Sequence, residues 1–192
     1  QENHLPLNRQ PMDNGTKIER IFLVGMPASG KTRAALALRA QLAGLWLVVD
    51  TDAMVAARTR RSIAELMAAG RLREEESLLL REWANLRPVV VATGGGLPIF
   101  GDNMAWMLSQ KNALVVWLNP PLSTIEARLS DPAEAAQRPM WTGLQPAERW
   151  AQLREMWAAR SPVYAQAHVE WDSTTSLQLL LQRLRRYHIA MR

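Results

Sequence analysis

An α/β fold, with one parallel sheet covered by helices on both faces, is the architecture this sequence predicts. Four short apolar runs carry the prediction: "IFLV" after Arg20, "WLVVD" ending at Asp50, "PVVVAT" ending at Thr93 and "ALVVWL" ending at Leu118. They are continuous rather than alternating, as strands buried on both faces are. Helical segments separate them, as crossovers between parallel strands require. The third observation is "GMPASGKT", Gly25 to Thr32, directly after the first run and before an alanine-rich segment. It fits G-x-x-x-x-G-K-[ST], a loop whose backbone N–H groups cradle phosphates.

The 192 residues suffice for one domain with a full core. Hydrophobic residues at 48% and charged residues at 21% exclude a disordered or fibrous chain. No apolar run approaches the roughly 18 residues of a membrane span, and no signal-type leader is evident, so a cytoplasmic protein without membrane contact is expected. The absence of cysteine excludes disulfides and thiolate metal sites. The net charge of +5 is spread along the chain, and the small clusters Arg58, Arg60, Arg61 and Arg183, Arg185, Arg186 lack interleaved aromatics. No nucleic-acid partner is expected.

Residues 1–17 are polar and aperiodic, and read as a flexible leader to a single domain over 18–192. After the loop, "TRAALALRAQLAG" has helical spacing, closed by Gly44 as a left-handed cap. An insert over about 52–86 carries two helices. Ser62 and Glu65 have capping-box spacing, Gly70 ends that helix, and "RLREEESLLLREW" forms the next. Beyond the fourth strand "PPLSTIEARL" begins a helix, and 130–145 reads as a mobile lid with few apolar anchors. "AERWAQLREMWAARSPVY" resumes a helix, "HVEWD" adds a short strand, and a helix from Ser176 to Tyr187 closes the domain. Trp141, Trp150 and Trp157, in or after the lid, read as packing residues rather than as a cover for a nucleotide.

Within the loop, Lys31 is placed to stabilise charge on a transferring phosphoryl group and Thr32 to ligate Mg²⁺. Asp50 and Asp52 stand at the C-terminal end of the second strand, the sheet edge where ligands bind. One suits a metal and the other an acceptor hydroxyl; a helix N-cap is the alternative for such an aspartate. The "TGGG" stretch, Thr93 to Gly96, permits close backbone approach to a ligand or is an ordinary turn.

Taken together, "GMPASGKT", "DTD", "LREEE", "ATGGG", "QRP" and "ARSPVY" occur in the order seen in shikimate kinases, and the chain resembles that family from about Arg20 onward. The resemblance implies the P-loop nucleoside-monophosphate-kinase type of fold. It also implies transfer of the ATP γ-phosphate to the 3-hydroxyl of shikimate, with Mg²⁺ as cofactor and shikimate and ATP as partners; separately, a monomer is the expected state. By motif position, Gly25, Met26, Pro27, Ala28, Ser29, Gly30, Lys31 and Thr32 bind ATP. Asp52 grips the shikimate hydroxyls and acts as base, and Asp50 holds Mg²⁺ through water. Arg73 and Arg160 clamp the substrate carboxylate, a task for the forked guanidinium. Gly94, Gly95 and Gly96 lie against the substrate, with Gly95 offering its N–H. Arg138 is the lid arginine that reaches the phosphates and Arg128 the one that stacks on adenine.

Alternatives stand beside two of these assignments. Arg73 with Glu76 is also an ordinary i,i+3 pair, and Arg160 also suits a helix end. The chain departs from the family at Ala56, where glutamate is common, at Gly70-Arg71 in place of glycine–glutamate, and at "RPMW" in place of "RPLL". A gluconate-type sugar-acid kinase and a catalytically silent binding or regulatory relative are the rival readings. His4, His168 and His188 have no mutual spacing of a metal or relay site.

Overall fold

A computed structural model describes residues 16–131, 133, 139–141 and 143–192. The expectations for residues 1–15 and for Arg138 lie outside these. Among the described residues, five strands form one parallel sheet: β1 Arg20–Val24, β2 Leu47–Asp50, β3 Val89–Ala92, β4 Ala113–Leu118 and β5 Val169–Trp171, in the order β2-β3-β1-β4-β5. Every residue of β1, β3 and β4 is buried, which explains why their sequences do not alternate.

Side chains nevertheless alternate between faces, because a strand has a period of two. Phe22, Val24, Val91, Val115 and Trp117 point into one core, while Ile21, Leu23, Val90, Leu114 and Val116 point into the other. The second core is roofed by α1 (Lys31–Gln41) and α8 (Leu177–Leu184). The first is covered by α2 (Thr51–Thr59), α3 (Ile63–Ala68), α4 (Leu72–Trp83), α5 (Asn103–Ser109), α6 (Leu122–Leu129) and α7 (Pro146–Tyr164). None of the described helices is long and apolar enough to cross a membrane.

The capping box is formed as expected, with Ser62 accepting from the Glu65 N–H and the Glu65 carboxylate accepting from the Ser62 N–H. Helix α1 ends earlier than its sequence implies. At Leu42 the chain turns extended and bridges Met191, with the Ala43 N–H donating to Ala190 O at 2.9 Å. This tertiary pairing with the C-terminal segment overrides the alanine-rich helical propensity. Gly44, at φ +87°, serves the turn into β2 instead of capping the helix. Helix α5 has no counterpart in the sequence reading, since "NMAWMLS" is short and weakly periodic.

Within the stretch 130–145, the described residues include apolar anchors. A 3-10 turn at Pro139–Trp141 inserts the Trp141 indole fully into the first core, and Met140 and Leu144 pack on it. Trp150 and Trp157 pack there too. Trp141→Ala therefore lowers the unfolding free energy by about 3–5 kcal/mol, the usual cost of a large buried side chain, in urea titration. A loss below about 1 kcal/mol would show that the indole is not a core anchor.

Candidate active site

Parallel strands bring three loop starts to one sheet edge, and the candidate residues gather there. After β1, Gly25 takes φ +143°, and a Cβ there would lie 2.5 Å from the Leu118 carbonyl oxygen. Only glycine fits, because the neighbour is backbone. Gly30, at φ +95°, caps α1 and aims the helix N-terminus into the loop. Ala28 also adopts a positive φ of 59°, an uncommon conformation for a residue with a Cβ. Lys31 folds over the loop, its Nζ donating to Gly25 O at 2.9 Å and Met26 O at 2.7 Å. The Met26 side chain itself belongs to the core, so this residue serves the loop through its backbone.

Asp50 takes the helix N-cap, one of the alternatives the sequence left open, and also meets the phosphate loop. Its Oδ1 caps α2, accepting from the N–H groups of Asp52 at 3.1 Å and Ala53 at 3.2 Å, while Oδ2 accepts from Thr32 Oγ1 at 2.5 Å. A hydroxyl and a carboxylate thus meet beside the phosphate loop. These are hard oxygen donors of the kind Mg²⁺ takes from proteins, usually one or two alongside substrate phosphates. No group of three or more His, Cys, Asp or Glu that could hold a metal occurs among the described residues.

Opposite the loop, Asp52 in the first turn of α2 and Arg73 in the first turn of α4 face the segment 94–96. The three glycines both turn, with the Leu97 N–H donating to Gly94 O at 3.1 Å, and are closely approached by side chains. A Cβ at Gly94 would lie 2.2 Å from Glu76 Oε1 and 2.6 Å from Asp52 Oδ1; at Gly95, 2.9 Å from Pro27; at Gly96, 2.2 Å from the Arg73 guanidinium. The Gly94 N–H donates to Thr51 Oγ1 at 2.7 Å, tying the segment to α2.

Arg73 and Glu76 do form an i,i+3 ion pair, at 2.5 Å, but a buried one: the Glu76 side chain is 0% exposed. Burial pushes the Glu76 carboxyl up to about 8, Arg73 opposing and the Asp52 charge adding to the rise. On α7, Arg160 and Tyr164 are one turn apart and share a face. The Tyr164 hydroxyl donates to Gly95 O at 2.5 Å, and burial raises its pKa against the pull of Arg160.

One cleft of about 1360 Å³ joins both halves. Pro27 to Thr32, Asp50, Asp52, Arg73, Gly95, Gly96, Arg128 and Arg160 line it; Gly25 and Gly94 stand behind its wall. Arg128 reaches the loop, donating to Ala28 O at 2.7 Å. Ser173, Thr174 and Thr175, unremarked in the sequence, line the same cleft, and Ser173 Oγ donates to Ser29 O at 2.7 Å. Their signal was position, a polar run just after the last strand at the ligand-binding sheet edge. Glu76 and Tyr164 lay within quoted motifs, yet nothing in the sequence marked them as buried into the site.

The departures from the family pattern fall apart into separate effects. Arg71 makes a surface pair with Glu75 at 2.7 Å, Met140 lines the cleft, Trp141 serves the core and Ala56 is half-buried. His168 accepts at Nδ1 from the Val115 N–H, a structural task.

Comparison with known proteins agrees with this arrangement. The shikimate kinase family model matches residues 27–186. The chain belongs to the shikimate kinase family. It is 38% identical over 156 residues to a shikimate kinase of Nitratidesulfovibrio vulgaris, covering 80% of this chain and 85% of that one. With a shikimate kinase of Synechococcus elongatus it shares 32% over 169 residues, 85% of this chain and 83% of the other. Among solved structures, the shikimate kinase of Bacteroides thetaiotaomicron superposes with a TM-score of 0.74 at 28% identity, covering 87% of this chain and 96% of that one. The Acinetobacter baumannii shikimate kinase, solved in complex with shikimate, shares the fold with a TM-score of 0.72 at 22% identity, over 92% of this chain and 98% of its own. The five-stranded parallel sheet is thus the P-loop nucleoside-monophosphate-kinase-like fold of shikimate kinases.

Two glycine substitutions separate scaffold from site. Gly25→Ala drives a Cβ into backbone and into a disfavoured φ, so it costs about 2 kcal/mol or more in chemical denaturation. Gly96→Ala displaces only the end of a long side chain and costs less than about 1 kcal/mol. Equal losses at the two positions would contradict this division.

Proposed function

We propose that the chain transfers the γ-phosphoryl group of ATP to the 3-hydroxyl of shikimate, giving shikimate 3-phosphate and ADP, and that the two halves of the cleft divide the work. The observation that carries the reading is the convergence of a phosphate loop, a carboxylate and two guanidinium groups on one cleft. The loop N–H groups and Lys31 hold the ATP phosphates. Arg128 and the Ser173–Thr175 edge flank the loop and receive the nucleoside.

On the acceptor side, Arg73 and Arg160 project from different helices toward the same space, and two guanidinium forks suit one carboxylate. Asp52 then faces the ring hydroxyls. The 3-hydroxyl oxygen forms a bond to the γ-phosphorus as the bond to the bridging oxygen of ADP breaks, and the hydroxyl proton passes to Asp52. Lys31 offsets the charge that develops on the transferred group. Thr32 and Asp50 would hold Mg²⁺, which when bound neutralises phosphate charge. In this reading Arg138 keeps the phosphate-facing role the resemblance gives it.

A gluconate-type kinase shares the loop and the need for a carboxylate clamp; Asp52, Arg73, Gly95 and Arg160 together on one cleft favour shikimate over it. A silent relative has no use for a Lys31, Thr32 and Asp50 set in working order. The proposal includes a cytoplasmic setting, which supplies ATP, and a monomer. The deciding experiment is ADP release measured with shikimate, gluconate and nucleoside monophosphates as acceptors. Turnover with shikimate alone is expected, and turnover with gluconate but not shikimate overturns the reading.

Lys31→Ala is expected to abolish shikimate-dependent ADP release, by roughly a thousandfold or more, while circular dichroism and melting stay near wild type. Turnover near normal in the folded variant would remove Lys31 from the mechanism. Arg160→Ala is expected to raise KM for shikimate by about ten- to a hundredfold, with KM for ATP changed by less than about threefold. The reverse pattern would place Arg160 on the nucleotide side.

A further inference from the structure

The nucleotide half of the cleft is lined by a cation that no motif accounts for. Arg33, the third residue of α1, is exposed into that cleft, and among the described residues it makes no ion pair or side-chain hydrogen bond. Its neighbours in the first turn are engaged. Lys31 Nζ donates to Gly25 O and Met26 O, and Thr32 Oγ1 donates to Asp50.

A cation without a partner is out of place there. A helix N-terminus carries partial positive charge, and the first turn of α1 holds no acid to offset it. The acids on the cleft nearby are taken up elsewhere: Asp50 accepts from Thr32 and from the N–H groups that start α2, and Asp131 accepts from the Ala133 N–H. A third cation approaches the same helix end. A Cβ on Gly30, the N-cap, would lie 3.6 Å from Arg128 Nη1 and 3.9 Å from Ser173 Oγ. Lys31, Arg33 and Arg128 thus gather positive charge around one helix end, and an anion seated among them relieves it.

The face of α1 that carries Arg33 indicates which anion. Arg33, Ala34 and Ala37 line the cleft together, and the two alanines leave its floor flat beside the arginine. Helical side chains slant toward the N-terminus, so the guanidinium extends back over the first turn toward the loop. Lys31, Thr32 and Asp50 gather at the end nearest Asp52 and the acceptor half, while Thr174, Thr175 and Leu177 line the other end. Arg33 stands between these ends, on the path from the transferred phosphate to the nucleoside.

We propose that Arg33 is a nucleotide-binding residue that pairs with the α-phosphate, a group ATP and ADP share. The inference rests on the nucleotide reading of the cleft and deepens it. A contact with a phosphate that takes no part in transfer holds the ground state and the transition state alike, so Arg33 sets nucleotide affinity and leaves the chemical step unchanged. The same contact holds the product, because ADP keeps its α-phosphate.

The test is calorimetric titration of ADP into the full chain as wild type, Arg33→Ala and Arg33→Lys, with steady-state kinetics beside it. Alanine suits a helix, and its substitution removes a cation from a helix N-terminus, so nucleotide-free Arg33→Ala is expected to melt no lower than wild type. Its Kd for ADP and KM for ATP are expected to rise together by about tenfold, with kcat not lowered and KM for shikimate changed by less than about twofold. Arg33→Lys, which keeps the charge without the fork, is expected to recover most of the lost affinity. Equal ADP affinity in wild type and Arg33→Ala overturns the proposal and leaves the nucleotide reading standing. A fall in kcat of about tenfold or more with ADP affinity intact would place Arg33 on the transferred phosphate, and overturns it as well. ADP binding by neither protein overturns both the proposal and the reading beneath it.

Discussion

The acceptor half of the cleft depends on the absence of side chains at Gly94 and Gly96. With nothing projecting from that segment, the carboxyls of Asp52 and Glu76 and the guanidinium of Arg73 come within contact distance of its backbone. Everything nearby follows from this approach. Glu76 is driven to full burial, its pairing with Arg73 becomes shielded from water, and Asp52 acquires a carboxyl neighbour. Thr51 on α2 and Tyr164 on α7 fasten the same segment, through Gly94 N–H and Gly95 O. The chain thereby fixes charged groups on rigid elements around a loop that contributes only backbone.

The nucleotide half obeys a similar constraint with different parts. Gly25 passes the Leu118 carbonyl where no Cβ fits, and this sharp exit from β1 lets the loop close around Lys31 before α1 begins. Asp50 links the halves. One of its oxygens starts α2, which carries Asp52, and the other accepts from Thr32 on α1. The phosphate side and the acceptor side are thus positioned by a single carboxylate at the end of one strand, so their mutual geometry follows from the register of β2 on β3.

Much of this was legible in the sequence because it was written in local patterns. Continuous apolar runs gave the four long strands, capping chemistry at Ser62 gave the start of α3, and the G-x-x-x-x-G-K-[ST] spacing located the phosphate loop. What was not legible depended on distant partners. Helix α1 stops at Gln41 because Leu42 pairs with Met191 near the far end of the chain, a contact no local window contains. That Trp141 packs was legible, but the core that buries it fully is assembled from distant elements. For Glu76 a surface pair with Arg73 stood as the alternative, because i,i+3 spacing says nothing about which face a helix buries. Ser173 escaped notice because its meaning lies in where β5 ends, not in any motif.

The central claim is that one cleft holds the carboxylate of shikimate between Arg73 and Arg160 and presents its hydroxyls to Asp52, opposite Lys31. A crystal structure of the protein with shikimate and ADP tests it most directly. The account predicts both guanidinium groups within hydrogen-bond distance of the shikimate carboxylate, about 3 Å, and the 3-hydroxyl against Asp52 on the side facing the phosphate loop. A shikimate carboxylate bound away from both arginines, or a ring seated at the Ser173–Thr175 edge, would contradict it.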